Sequence, residues 1–364
     1  MMRSIPHCCT GGSNCTSKSI DSKRLPSTFQ EESSTLKSIT IAIILVNYNG
    51  LADTLECLRT ILSQPIDPRN VIVVDNGSKN NESTEIRNQF PSITVLRSES
   101  NLGWSGGNNL GARHAIGIGA EWLFLLNNDT ILLPGALGRL QEVLSTERLG
   151  ILGPIVNEYY RPECQQVSVI EFNRIESDVV FQKVPQEPSQ IGEGLIVPTD
   201  IVNGCAILAR SDLFEKLNGI DDRFFLIHEE SDFCLRAKSI GERIGLLTET
   251  LVLHKQSASF QKAGKPIPLY YNIRNLGLLL VRKRHTFGLQ KNYLNTACLY
   301  FRYVHRCYAR ELALDNQPGI KAIAEGLTDF LLHRFGPKPK PSKLSFFVDK
   351  GLHAISLVKG KSRR

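Results

Sequence analysis

The stretch ITIAIILVNYNG, residues 39–50, decides the fold class. Its first eight residues are almost all apolar and rich in β-branched side chains, which is typical of a strand buried on both faces. Asn47, Tyr48, Asn49 and Gly50 follow at once, and Asn and Gly favour a turn. The stretch therefore predicts a buried strand that ends in a polar loop.

Similar units repeat over the residues that follow. After the loop, five apolar residues on one helical face precede a proline stop: Leu51, Leu55, Leu58, Ile61, Leu62 and then Pro65. Further apolar runs at 71–74, 93–96 and 122–126 are separated by helix-compatible segments, such as 108–118. The repeat predicts an α/β fold with a mostly parallel sheet covered by helices, whose strand ends meet at one ligand-binding edge.

Later segments differ in composition. Residues 1–37 are rich in Ser and Thr and poor in apolar residues, which predicts a disordered extension. Residues 157–199 contain several prolines and little periodicity, which predicts a variable loop or a substrate-facing insertion. Residues 229–240 read as a helix that begins with acidic residues, and the chain after residue 254 reads as helical and basic.

Composition restricts the location and the partners. No apolar run approaches the roughly 18–20 residues that cross a bilayer, and the nine cysteines form no CxxC pair. These features indicate a cytoplasmic protein with reduced thiols. Residues 261–364 hold 20 Lys and Arg against 5 Asp and Glu, which fits an anionic lipid surface, an acidic substrate or a solvated tail. No nucleic-acid fold signature is present, so a nucleic-acid partner is not expected.

A glycine-rich loop and a lone carboxylate follow the third and fourth predicted strands. Residues 101–108, NLGWSGGN, enter a helix whose N–H groups are able to face phosphate or ribose oxygens, although a purely structural loop is the alternative. Asp129 ends the segment LLNND. It suits a hard divalent cation that also takes diphosphate oxygens, and a turn-forming Asp is the alternative.

An acidic cluster and a histidine are the remaining candidates. Glu229, Glu230 and Asp232 open a predicted helix, where the macrodipole stabilises acids. Crowded carboxylates also raise a pKa, which suits a general base. His254 ends an apolar run and is either a metal ligand or a histidine satisfied within the core.

Taken in order, the motifs resemble the family 2 glycosyltransferases of GT-A fold, especially the rhamnosyltransferase-like branch. The segments are VNYNG, VVDNGS, NLGWSGGNNLG, LLNND, NGCAILARSDLFEKLNGIDDRFF, HEESDFCLR and LHKQS, within residues 39–260. YYNIRN, residues 270–275, also resembles that branch. Each piece alone is weak, but the ordered set is specific. The resemblance implies a Rossmann-like GT-A sheet with a basic helical C-terminal extension.

The resemblance also implies a nucleotide-sugar donor at the sheet edge. Its pocket would hold the base and ribose, a pyrimidine contact from Asp75 and a loop around the sugar nucleotide. The donor-binding residues so implied are Asn47, Tyr48, Asn49, Asp75, Asn101, Gly103, Asn108, Asn127 and Asn128.

A metal site follows from the same resemblance. Asp129 matches the final acid of the family's DxD motif, which holds Mg²⁺ or Mn²⁺ against the diphosphate. Asn127 takes the place of the first acid, so the single carboxylate needs a further ligand. His254 matches a family histidine that completes the coordination.

The implied reaction is inverting transfer, in which a carboxylate takes the proton of an acceptor hydroxyl. Glu230 matches the family's base, and Glu229 and Asp232 are its neighbouring alternatives. The expected donor is dTDP-rhamnose or a UDP-sugar, and the expected acceptor is a saccharide or lipid-linked precursor of a cell-envelope polysaccharide. A sugar-phosphate nucleotidyltransferase and a catalytically silent nucleotide-sugar-binding protein are the alternatives.

The expected organisation has four parts, namely residues 1–37, a GT-A domain at 38–262, a helical region at 263–335 and a basic tail at 336–364. The tail combines Lys and Arg with apolar residues between 344 and 358. This pattern predicts weak peripheral contact with the inner face of the cell membrane.

Overall fold

The computed structural model describes residues 39–165, 196–255, 266–283 and 293–361. These described residues belong to one compact unit. The extension predicted at 1–37 lies outside the described residues, and so does most of the predicted insertion.

One sheet organises this unit. Its ten described strands are β1 Ile41–Asn47, β2 Val71–Asn76, β3 Thr94–Ser98, β4 Trp122–Asn127, β5 Thr130–Leu132, β6 Ile151–Glu158, β7 Arg161–Gln165, β8 Ile196–Pro198, β9 Ala206–Arg210 and β10 Ile244–His254. The spatial order is β3-β2-β1-β4-β9-β6-β10-β5, with β7 beside β6 and β8 beside β10. The strands β3, β2, β1 and β4 are parallel neighbours, and β9 joins β4 in the antiparallel sense.

The helices cover both faces of the sheet and continue beyond it. They are α1 Leu51–Leu62, α2 Glu82–Gln89, α3 Gly103–Gly117, α4 Ala136–Thr146, α5 Ser211–Lys216, α6 Glu229–Ser239, α7 Pro266–Lys283, α8 Tyr293–Ala313, α9 Gln317–Leu331 and α10 Leu344–Lys361. The predicted α/β class and the helical C-terminal region are both confirmed.

The pleat of β1 explains why its sequence is continuously apolar. Ile43 and Leu45 enter the core on one face of the sheet, whereas Ala42 and Ile44 enter the core on the other face. All four side chains are fully buried because helices pack on both sides. The loop after β1 is therefore placed by two cores at once.

Helices α7 to α10 build a further core of their own. Its buried members include Ile273 and Leu276 of α7, Tyr308 of α8 and Ile323 of α9. Leu279, also on α7, instead packs in the sheet core that lies under α3. Helix α7 therefore connects the C-terminal helices to the sheet. Within the described ranges, no helix is both long and apolar enough to span a membrane.

The region predicted as an irregular loop at 157–199 begins and ends with strands. β7 folds back on β6 as a hairpin, and β8 pairs with β10. The variable loop or substrate-facing insertion therefore stays a prediction, and strand pairing at its two ends adds order that the local apolar pattern does not indicate. Residues 166–195 lie outside the described part of the chain.

Candidate active site

Asn47, the last residue of β1, pairs with Asp75 near the end of the adjacent strand β2, and both are fully buried. Asn47 donates to Glu82 Oε2 at 2.8 Å and accepts from Thr54 Oγ1 at 2.8 Å. Asp75 accepts from the backbone N–H of Ser83 at 3.1 Å and from Arg97 Nη1 at 2.6 Å. These bonds tie the strand ends to α1 and α2. Both predicted donor-binding residues therefore lie at the sheet edge, and their side chains form hydrogen bonds within the protein.

Tyr48 and Asn49 lie on the turn after β1. The Tyr48 side chain is 46% exposed, so its ring is available to a ligand. Asn49 adopts a left-handed φ of 52°, which Asn tolerates better than most residues, and its Oδ1 accepts from the N–H of Lys79 at 3.0 Å. The turn is thereby fixed with Tyr48 facing outward.

Asn76, which follows Asp75, holds the glycine-rich loop in place. Its Nδ2 donates to Asn101 Oδ1 at 3.1 Å and to the Gly103 carbonyl at 3.0 Å, and its Oδ1 accepts from the N–H of Leu102 at 3.0 Å. Asn101 Oδ1 also accepts from the Gly103 N–H at 2.8 Å. The side chains of Asn76 and Asn101 therefore stabilise the loop itself.

The start of α3 is closed by a carbonyl from another part of the chain. The N–H groups of Trp104 and Ser105 donate to the Phe225 carbonyl at 2.8 and 3.4 Å. Gly103, at a φ of 74°, has no room for a side chain, because a Cβ there would lie 2.3 Å from that carbonyl oxygen. Asn108 is buried and donates to the Trp104 carbonyl at 2.9 Å within the helix. The N–H groups of Trp104 and Ser105 thus donate to the protein's own backbone, as in the alternative of a purely structural loop.

The indole of Trp104 contacts the end of β4. Its Nε1 donates to Asn127 Oδ1 at 2.9 Å. The adjacent Asn128 donates through Nδ2 to Thr54 Oγ1 at 2.8 Å. These two bonds fix the amides that precede Asp129.

Asp129 and His254 are brought together from distant parts of the chain. His254 Nε2 lies 3.1 Å from Asp129 Oδ1, and the backbone pairs β10 with β5 directly beside them. Burial disfavours protonation of His254, but its contacts with Cys205 and Asp129 outweigh burial and raise its pKa to about 10. Asp129 is only 6% exposed. At that pKa the imidazole is protonated and forms an ion pair with Asp129, so the ring would bind a metal ion only after losing this proton.

The spacing of this pair fits a divalent cation. Adjacent ligands of an octahedral Mg²⁺ or Mn²⁺, each about 2.1 Å from the ion, lie about 3 Å apart, close to the 3.1 Å that separates these two atoms. Among the described residues, no group of three His, Cys, Asp or Glu side chains forms a more complete metal site. An ion here would take its other ligands from water and from the phosphates of a donor.

The three acids of α6 have different surroundings. Asp232 is fully buried and bonds Arg236 at 2.7 Å and Arg282 at 3.3 Å. Burial and the charge of Glu230 raise the pKa of Glu229 well above its usual range, and its Oε2 has no hydrogen-bond partner among the described residues. Glu230 is half-buried and accepts from Ser231 Oγ at 2.8 Å.

The loop before β9 contacts both Glu230 and the ring of His254. A Cβ on Gly204 would be 3.2 Å from Glu230 Cγ, so this glycine leaves room for the acid. The next residue, Cys205, contacts the His254 ring. Successive residues of one loop therefore contact the half-buried acid and the His254 ring, whereas Asp232 bonds two arginines.

The sequence profile described as Glycosyl transferase family 2 matches residues 42–213. This segment is a family 2 glycosyltransferase domain. It includes Asp129 and the loop of Gly204 and Cys205, and the chain continues past it through α6 and β10.

The chain is also similar to known glycosyltransferases in sequence and to a solved structure in fold. It is 25% identical over 240 residues to the low-salt glycan biosynthesis hexosyltransferase of Haloferax volcanii, which covers 65% of this chain and 73% of that one. It is 22% identical over 256 residues to the dTDP-rhamnosyl transferase RfbF of Shigella flexneri, covering 67% and 81%.

The mannosyltransferase of Pyrobaculum calidifontis, solved with GDP-Man and Mn²⁺, superimposes with a TM-score of 0.50 at 15% identity, over 89% of this chain and 88% of that one. At this identity the likeness concerns the fold, and it confirms the GT-A prediction.

Several residues of the glycosyltransferase site were missed from the sequence. Trp104 lies in the glycine-rich motif, where a Trp is an unusual choice that indicates a specific contact. Cys205 was read only as a reduced thiol. Asn272 and Asn275 belong to YYNIRN, and polar residues spaced three apart on an otherwise apolar helix are a signal that they face a common polar target.

Proposed function

We propose that this glycosyltransferase moves a sugar from a nucleotide diphosphate donor to an acceptor hydroxyl by a metal-dependent inverting displacement. One observation carries the proposal: the loop before β9 contacts Glu230 through Gly204 and the Asp129 and His254 pair through Cys205. A diphosphate-binding ligand set and a half-exposed carboxylate are the two groups that such a displacement requires.

Glu230 is the proposed base. A general base must be ionised and within reach of the acceptor. Asp232 fails on reach, since it is fully buried against Arg236 and Arg282. Burial favours the neutral form of Glu229, which leaves it a hydrogen-bond donor rather than a proton acceptor. Glu230 is only half-buried and accepts from Ser231, so it is the acid that we assign as the base.

Asp129 and His254 are the proposed ligands of Mg²⁺ or Mn²⁺. A bound divalent ion would offset the charge of the departing nucleoside diphosphate. Trp104 and Asn127 support this part of the site, because the indole holds the amide two residues before Asp129. The Mn²⁺ in the mannosyltransferase of similar fold supports the same assignment.

The donor is proposed to lie along the edge formed by the ends of β1, β2 and β4. Tyr48 offers an exposed ring for stacking on a base. The amides of Asn127 and Asn128 border the phosphate end. Asn47 and Asp75 act on the donor by holding the strand ends that shape the pocket. The dTDP-rhamnosyl transferase among the relatives supports dTDP-rhamnose as the first donor to test, with UDP-sugars second.

The proposed acceptor is a saccharide or a lipid-linked precursor. Helix α10 is proposed to lie against an anionic membrane. The exposed fractions of Phe346 and Phe347 are 59% and 67%, whereas Leu352 on the opposite side of the helix is buried in the C-terminal core. Lys350 Nζ lies 5.4 Å from the centre of the Phe346 ring. Aromatic rings flanked by lysines fit the boundary between anionic head groups and acyl chains.

The direct test of the reaction is a panel of nucleotide sugars incubated with the full-length protein and Mn²⁺ or Mg²⁺. Release of nucleoside diphosphate together with a new glycoside identifies the donor. Release that is insensitive to a chelator removes the metal from the mechanism, and tight nucleotide binding without any transfer or hydrolysis contradicts the proposal as a whole.

A further inference from the structure

The segment before α6, residues 224–228, is strained. Phe225, Ile227 and His228 have φ angles of 64°, 70° and 71°. L-residues with side chains rarely adopt this left-handed region, and a β-branched residue such as Ile227 does so at the greatest cost. Such a conformation persists only where neighbouring groups hold it, and these groups come from α7.

Asn275 on α7 makes the central contacts to this left-handed segment. Its Nδ2 lies 2.9 Å from the Phe224 carbonyl oxygen, 2.7 Å from that of Leu226 and 2.8 Å from that of Ile227. The side chain is fully buried. An amide carries two N–H donors, so the three carbonyls share them. One side chain thus fixes the backbone on both sides of Phe225 and just before His228.

Arg274 and Asn272 add to the same hold. The fully buried guanidinium of Arg274 donates from Nη2 to the carbonyls of Arg223 at 3.1 Å and Phe224 at 3.0 Å. Its Nε donates to Asn275 Oδ1 at 2.9 Å, which orients the amide. Asn272 Oδ1 lies 2.8 Å from His228 Nε2. Three polar residues of one helix therefore meet the backbone or side chains of the left-handed segment.

The left-handed segment determines two parts of the candidate site. The Phe225 carbonyl accepts from the N–H of Trp104, whose indole holds Asn127 near Asp129. At its other end, His228 leads directly into α6, whose second residue is Glu230. A shift of this segment would therefore move the proposed base relative to the proposed metal ligands.

We propose that Asn275 is a positioning residue for the transfer reaction, assisted by Arg274 and Asn272, and that it acts by holding residues 224–228 in their left-handed conformation. The kinetic part of this inference rests on the proposed function. The proposed hold of Asn275 on the backbone of residues 224–228 does not rest on the proposed function, because the strain and the contacts are properties of the fold alone.

The experiment compares Asn275→Ala with Gln64→Ala in the full-length protein. Gln64 is a matched control, since it is also a buried amide that bonds backbone carbonyls and an N–H, at Thr60, Leu133 and Leu137. Measured quantities are kcat, KM for the donor, nucleotide affinity, and amide hydrogen exchange of residues 225–230.

We expect Asn275→Ala to lower kcat by about 10- to 100-fold with nucleotide affinity kept, as a displaced reactive group does. Exchange at 225–230 should rise about tenfold or more as the segment opens locally. Gln64→Ala should keep kcat within about twofold of the wild-type value. Adding Ile227→Gly to Asn275→Ala should recover part of kcat, because glycine adopts positive φ without strain.

Other results would overturn the inference. These are a folded Asn275→Ala protein with normal kcat and normal exchange, or an equal loss of kcat in Gln64→Ala. If Asn275→Ala does not fold, Asn272→Ala carries the test, and unchanged kcat and exchange there overturn the inference equally. If the wild-type protein transfers no sugar, the proposed function fails, and the exchange data alone decide whether Asn275 holds the segment.

Discussion

Replacing Gly103 by Ala tests the closest backbone approach at the site. The new Cβ would lie 2.3 Å from the Phe225 carbonyl oxygen and 2.6 Å from its ring, both well inside van der Waals contact. At a φ of 74° the alanine would also be strained. Both effects act at the start of α3, where the Phe225 carbonyl accepts from Trp104.

The magnitude follows from these two effects. The left-handed conformation costs an L-residue about 1–2 kcal/mol, and forcing a methyl group into a packed contact costs about 1–3 kcal/mol. The free energy of unfolding should therefore fall by about 2–5 kcal/mol, which lowers Tm by about 4–10 °C at about 2 °C per kcal/mol for a chain of this size. Because Phe225 must move, kcat should fall by about 100-fold, as for a misplaced reactive group.

The assay is thermal unfolding combined with sugar-transfer kinetics, with Gly117→Ala as the control. Gly117 ends the same helix, and a Cβ there meets no atom within 4 Å. Alanine at this position should leave Tm unchanged or raise it slightly. A Gly103→Ala protein that melts and reacts like the wild type would refute the close approach, and an equal loss in Gly117→Ala would show that the effect is not specific.

Three further predictions concern the chemistry and the membrane. Asp129→Ala should reduce turnover in Mn²⁺ to the level of the wild-type protein in excess chelator, and unchanged turnover would exclude this carboxylate as a ligand. Glu230→Gln keeps the shape of the side chain but removes its proton affinity, so kcat should fall by about 10²–10⁴-fold while nucleotide binding persists. A normal rate would assign the base to another acid. Changing Phe346 and Phe347 together to Ala should lower sedimentation with phosphatidylglycerol vesicles at least tenfold, given about 1.5–3 kcal/mol for each buried ring. Leu314→Ala, 68% exposed and outside α10, is the control, and equal binding by the Phe variant would contradict the membrane contact.

The sequence was sufficient for the parallel half of the sheet. Strands β1, β2 and β4 are apolar on both faces because helices cover both, so their runs stand out without any knowledge of partners. The short β5 and β7 did not stand out. Each is held by pairing with another strand, β5 with β10 and β7 with β6, and that pairing is invisible in a local pattern.

The polar residues at the strand ends show the same limit on a smaller scale. Their positions were predictable, because turn residues follow a buried strand. Their partners were not. Asp75 bonds Arg97 on β3, and the Trp104 N–H bonds the Phe225 carbonyl from a segment more than a hundred residues later. A residue type that suits ligand binding also suits either of these structural contacts, so only the fold decides between them.

The three acids of α6 differ in their surroundings, and this difference decides which of them is the proposed base. In the sequence, Glu229, Glu230 and Asp232 are three carboxylates within four residues, and nothing local separates them. In the fold, Asp232 faces two arginines, burial and the charge of Glu230 raise the pKa of Glu229, and Glu230 faces the Gly204 loop. Arg236 lies on α6 itself, whereas Arg282 lies on α7 and Gly204 lies on the loop before β9. The arginine on α7, like the amide of Asn275 on the same helix, lies beyond the segment at 42–213 that defines the family. The proposed base therefore depends on the C-terminal helices for both its selection and its placement, and the proposed site draws on elements from β1 through α7.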